Sequence, residues 1–189
     1  MEALGTTPSQ TVGPFFSFSL LATPQSHLVP ADTPDAVRIE GRVLDGEGAP
    51  VSDAMIEIWQ AGRSGRYPHP ADARADLTLD PGFTGFGRCG TDDEGRYSFV
   101  TVKPGPVPGP AGRMQAPHLE VSVFARGLLQ RLVTRMYFPD EAEANSADPV
   151  LGSIDDPDAR ATLVAEPVDG ALRFDIRLQG PGETVFFAV

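Results

Sequence analysis

A chain of 189 residues, 41% apolar and 22% charged, can build its own core without disulfides or a structural metal. Its formal net charge of −11 repels phosphate backbones and anionic lipid surfaces, which argues against nucleic acid and membrane as partners. The single cysteine, Cys89, excludes an internal disulfide framework, and no apolar run approaches the length of a membrane span.

Residues 1–36 are rich in Thr, Pro, Ser and Gly around an apolar knot at Pro14-Phe15-Phe16. They read as an extended arm, and Phe15, Phe16, Phe18, Leu20 and Leu21 are too apolar for it to hang free, so it is expected to pack on something. The start of the chain has no basic flank of a secretory signal, which makes a reducing cytoplasm the expected location.

From Val37 the pattern changes. Residues 37–44 alternate apolar and polar, the period of a half-buried strand, and the Gly-containing stretch 45–50 forms a turn. Met55-Ile56-Glu57-Ile58-Trp59 is β-rich and predicts a core strand. Residues 61–87 carry few strand signals and read as a long excursion, a kind of segment that usually serves function. Cys89 is expected to be a buried small residue, since no histidine lies near it in sequence.

An acidic turn at 91–95 leads into an alternating strand at 96–102, and further strands are predicted at 118–124, 131–138 and 172–178. One short helix fits within 155–166. The 20 Gly and 19 Pro punctuate these runs as turns. The fold class is therefore all-β, a sandwich with long loops, with an arm at 1–36 and one domain at 37–189.

Chemistry has few carriers here. The histidines are His27, His69 and His118, and His118 with Glu120 projects from one face of a predicted strand. That pair could supply two ligands of a two-histidine, one-carboxylate site, with His27 or His69 as the third, although nothing in the spacing demands it and a strand histidine with a polar neighbour is more often structural. No Gly-x-Ser-x-Gly elbow is present, and Gly82, Gly85 and Gly87 do not open a helix after a strand. The acidic clusters lack the ligand spacing of a calcium loop. Arg126, beside Gly127 at a strand end, could grip a carboxylate with two parallel hydrogen bonds or be a plain surface arginine.

Taken in order, several motifs resemble the intradiol dioxygenase family. They are the run from Gly41-Arg42-Val43-Leu44 to Trp59-Gln60-Ala61, then Gly65-Arg66-Tyr67, Gly85-Phe86-Gly87-Arg88 and Thr91-Asp92-Asp93-Glu94-Gly95-Arg96-Tyr97. Lys103-Pro104-Gly105, Ala116-Pro117-His118, Arg135-Met136-Tyr137-Phe138 and Arg173-Phe174-Asp175-Ile176 follow. The resemblance implies a transthyretin-like sandwich and ferric iron held by two tyrosinates and two histidines. It places the first tyrosine at Tyr67 and the second at Val107, and the His-x-His pair at His118 and Glu120. Valine has no donor, so the resemblance implies that this chain binds no metal itself.

The same departure resembles the iron-free α-type subunit of two-subunit members, with Thr7-Pro8-Ser9-Gln10-Thr11-Val12-Gly13-Pro14 as its arm. It implies a β subunit that carries Fe(III), a hetero-oligomer of αβ units in which the arm packs on the partner, and a carboxylated catechol as substrate. Thr11, Gly13, Pro14 and Arg126 would line the shared pocket, Arg126 meeting the substrate carboxylate, with no catalytic residue in this chain alone. Two other readings stand beside it: a free-standing enzyme with an altered site of Tyr67, His118 and Glu120, and a non-catalytic binding module.

Overall fold

The structure, a computed structural model, describes Gly13 and residues 16–188. Of the expected pocket residues, Thr11 and Pro14 lie outside the described residues. In chain order the elements are helix α1 (Phe16–Leu20) and strands β1 (Ala36–Leu44), β2 (Met55–Trp59), β3 (Phe86–Gly90) and β4 (Arg96–Val102). A small hairpin of β5 (Val107–Pro108) and β6 (Met114–Gln115) precedes β7 (His118–Phe124) and β8 (Leu132–Tyr137). Helices α2 (Ala142–Ala147) and α3 (Pro157–Ala161) lead to β9 (Glu166–Val168), β10 (Ala171–Arg173) and β11 (Ile176–Arg177).

The strands form two facing sheets. In the first, β1 runs antiparallel to β4 on one edge and parallel to β10 and β11 on the other, with β9 beyond β10. The second is fully antiparallel in the order β3-β2-β7-β8. Alternation decides which side chains meet between them: Ile39, Val43 and Phe99 from the first sheet face Ile56, Ile58, Leu119, Val121 and Met136 from the second. Phe99 is fully buried, worth about 1.5–3 kcal/mol relative to exposure. The all-β sandwich expected from the sequence is the fold.

Three differences have local causes. Residues 16–20 of the arm are helical, and Leu28 further along joins the chain's own core, where its backbone bonds to Val100. Strand β3 lay unseen at the end of the excursion because Phe86-Gly87-Arg88-Cys89-Gly90 has no apolar alternation; its pairing with β2 supplies the order. The single strand expected at 172–178 is two. Between them Phe174 turns its side chain into the core and its carbonyl toward Tyr97, whose hydroxyl donates to it at 2.5 Å. Gly41 permits this approach, since a Cβ there would stand 1.9 Å from the Phe174 oxygen.

The excursion is anchored at its root. The buried Gln60 amide donates to the Ala61 and Val102 carbonyls at 3.1 and 2.8 Å and accepts from Thr101 Oγ1 at 2.7 Å. Further along, Gly65 sits at φ +80°, and a Cβ there would come within 2.2 Å of the Pro106 carbonyl. With the Gly105 amide donating to Gly62 at 2.9 Å, this contact fastens the excursion beside the β5–β6 hairpin.

Candidate functional site

On β7, Leu119, Val121 and Val123 face the core, so His118 and Glu120 face outward from the second sheet. Register sets their neighbours. His118 stands opposite Tyr137 and Glu120 opposite Arg135 on β8, while Trp59 on β2 flanks Glu120 from the other side. The excursion lays Tyr67 over this row, its ring stacked on Trp59 with centroids 5.7 Å apart. Val107, 4% exposed, pairs with Gln115 in the hairpin alongside.

The site is thus assembled, and its polar groups satisfy one another. Arg135 Nη2 lies 2.6 Å from Glu120 Oε1, and Nη1 donates to Gln115 Oε1 at 2.6 Å and to the Tyr137 hydroxyl at 3.4 Å. His118 Nε2 is 3.5 Å from the same Glu120 oxygen, and its Nδ1 meets the Ala116 carbonyl at 2.7 Å. The Gln115 amide donates to Pro108 at 3.1 Å. Behind this row the buried Asp148 accepts from Tyr137 at 3.2 Å and from the backbone amides of Ala116, Val150 and Leu151.

Electrostatics follow the geometry. Burial alone would push the Glu120 carboxyl up, but the His118 hydrogen bond and the Arg135 charge outweigh it and hold it below the ordinary value. Burial, and then the Glu120 charge, push the Tyr67 phenol up. Burial likewise raises Tyr137 well above an ordinary tyrosine. Tyr67 and Tyr137 are therefore held as neutral phenols. Arg135 cannot lose its proton, so the pair Glu120–Arg135 sums to zero charge.

Arg126 lies at the far end of the same strand, in the turn after Phe124 where Gly127 takes φ +85°. Eight residues from His118, it is roughly 25 Å away along the strand. Its Nε donates to Asp53 Oδ2, and its side chain is 66% exposed at a cleft of about 280 Å³ shared with Phe16, Leu21, Ser52 and Thr91. Gly13, at φ +71° with open space where a Cβ would stand, precedes Phe16 by three residues. Among the described residues neither His27 nor His69 completes a group of three ligands: His27 bridges to Val100, and His69 shares a cleft with Tyr67 and sits edge-on to Trp59.

The sequence had singled out Tyr67, Val107, His118, Glu120 and Arg126 but not Arg135, Gln115, Asp148 or Asp53. Arg135 was detectable only through register, because two adjacent alternating strands place Arg135 beside Glu120 once their pairing is known. Cys89 is half-buried, and burial pushes its thiol up, away from a nucleophile's range. Among the described residues no helix is long and apolar enough to cross a membrane.

Two antiparallel-rich sheets with a long excursion folded over an outward His-Glu row define a β-sandwich whose candidate site lies on the outer face of its second sheet. A family model described as Dioxygenase matches residues 13–180, and the chain belongs to that family, in its intradiol branch. It is 44% identical over its whole length to the whole of the protocatechuate 3,4-dioxygenase alpha chain of Burkholderia cepacia. With the alpha chain of Pseudomonas putida it is 43% identical, covering 99% of this chain and 98% of that one. The Burkholderia cepacia beta chain matches at 45% over 57% of this chain and 46% of its own length. Among solved structures, a Streptomyces dioxygenase domain superposes with TM-score 0.58 at 25% identity, covering 94% of this chain and all of that one. Catechol 1,2-dioxygenase from Acinetobacter superposes at 0.54 and 22%, covering 80% and 55%, a likeness of fold alone.

The family is iron-dependent. The residues gathered here do not fit a ferric ion. Val107 has no donor atom in its side chain, and Glu120 is already neutralised by Arg135.

Proposed function

We propose that this chain is the α-type subunit of a protocatechuate 3,4-dioxygenase, working beside a β subunit that holds Fe(III). The complex would insert both atoms of O2 into protocatechuate to give 3-carboxy-cis,cis-muconate, in the cytoplasm, within αβ units. The observation that carries this reading is the end-to-end likeness to two alpha chains.

In that assembly the chain's part is to shape and charge the mouth of a pocket. The iron, when bound by the partner, supplies activation of the catechol. Arg126 supplies a cation at an exposed rim, where it draws in the substrate carboxylate and fixes its orientation. Its Nε is engaged by Asp53, and the guanidinium carries two further amino groups that can donate to an incoming carboxylate. Thr11, Gly13 and Pro14 of the arm would complete that wall, with the arm ahead of its own-chain contacts at Gln25 and Leu28 packing on the partner. A free-standing enzyme built on Tyr67, His118 and Glu120 is disfavoured because Glu120 already spends its charge on Arg135.

The test is reconstitution. Co-expression with the β subunit, followed by oxygen uptake on protocatechuate, should give activity in the complex and none in this chain alone. Turnover of protocatechuate by the purified chain without a partner would remove the reading.

A further inference from the structure

A site short of donors can still attract a cation if its remaining ligands carry uncompensated negative charge, so lost ligands do not by themselves account for a site that rejects metal. Here the compensation is visible. Glu120 and Arg135 are cross-strand partners, and the guanidinium is 16% exposed and clamped between Glu120 Oε1 and Gln115 Oε1, both at 2.6 Å. His118, 3% exposed, turns its Nε2 to the same Glu120 oxygen, and Tyr67 stacks on Trp59, the other cross-strand neighbour of Glu120. A fixed positive group thus touches Glu120, Gln115 and Tyr137. It is planar, cannot be deprotonated, and is held from three sides.

We propose that Arg135 is the resident cation of this site, taking the electrostatic place of a metal ion, so that metal is kept out by the guanidinium and not only by the missing donors. The inference rests on the reading that this chain holds no iron, and it assigns the cause. Restoring donors while keeping Arg135 would then leave the site closed. Removing the charge would open it.

Three forms of the full-length chain test this. The double variant Val107→Tyr/Glu120→His restores donors and keeps the guanidinium; the triple variant adds Arg135→Gln, which keeps amide hydrogen bonds without charge. Loaded with ferric citrate and desalted, the triple variant should retain about tenfold more iron than the double and show a tyrosinate-to-iron absorption band. Equal retention by the two overturns the proposal. In the third form, Arg135→Gln alone, Mn(II) should raise Tm where it leaves the unaltered chain unmoved. If neither this form binds Mn(II) nor the triple variant binds iron, the guanidinium is not what excludes metal, and the proposal falls. Should Arg135→Gln fail to fold, Arg135→Lys added to the double variant decides: iron retention as low as the double's shows that the charge keeps metal out, and about tenfold more overturns the proposal. Iron in the unaltered chain would instead sink the functional reading itself, a separable result.

Discussion

The two ends of β7 each hold an arginine paired with a carboxylate, but one pair is enclosed and the other open. At the His118 end, Glu120, Arg135, Gln115 and Tyr137 satisfy one another beneath the excursion, and the charges cancel. At the Arg126 end a guanidinium stands 66% exposed over a cleft, tied by one nitrogen to Asp53. A charge enclosed by its own chain works for the fold, whereas a charge at an open rim remains free for a ligand. Position along one strand separates the two uses.

Stability should break the symmetry most. Arg135→Met strands the partly buried Glu120 carboxylate and the Gln115 amide oxygen, and is expected to cost about 2–4 kcal/mol in urea denaturation. Arg126→Ala should cost at most about 0.5 kcal/mol in the same measurement, because its ion pair is largely solvated. Similar losses at both ends would erase the contrast.

Function should show the reverse order. In the assembled complex, Arg126→Ala is expected to raise KM for protocatechuate about tenfold, while catechol, lacking the carboxylate, stays within about twofold. An equal rise for both substrates would deny Arg126 a carboxylate-facing role.

Acid sharpens the enclosed end. The folded Glu120 carboxyl titrates below its unfolded value of 4.5, so its contribution is complete above that value and is lost as pH falls through the folded one. The stability gap between the unaltered chain and Glu120→Gln, read from urea midpoints, should therefore narrow as pH falls below 4.5. A gap that widens on acidification would mean that the pair does not stabilise the fold. The smallest effect belongs to Tyr67→Phe, which removes a phenol assigned no ligand duty and should change kcat of the complex by less than about twofold.

Much of this was legible beforehand, and unevenly. The alternation in β1, β4, β7 and β8 announced the sandwich because side-chain period is a local property. The break at Phe174 was hidden, since it depends on Gly41, distant in sequence, leaving room for a carbonyl. At the site, Val107 and Glu120 could be read as lost donors one residue at a time. Arg135 could not, for its meaning lies in facing Glu120 across a strand pair, and register is long-range information. Asp53 stayed hidden for the same reason, as it meets Arg126 from 73 positions away.

Whether this polypeptide is itself a ferric protein can be read directly from iron content and visible absorption of the purified full-length chain, prepared without its partner. The account expects iron well below one equivalent and no tyrosinate charge-transfer band, because a valine and an arginine-paired glutamate stand where donors would have to be. One iron per chain with a wine-red absorption would contradict it.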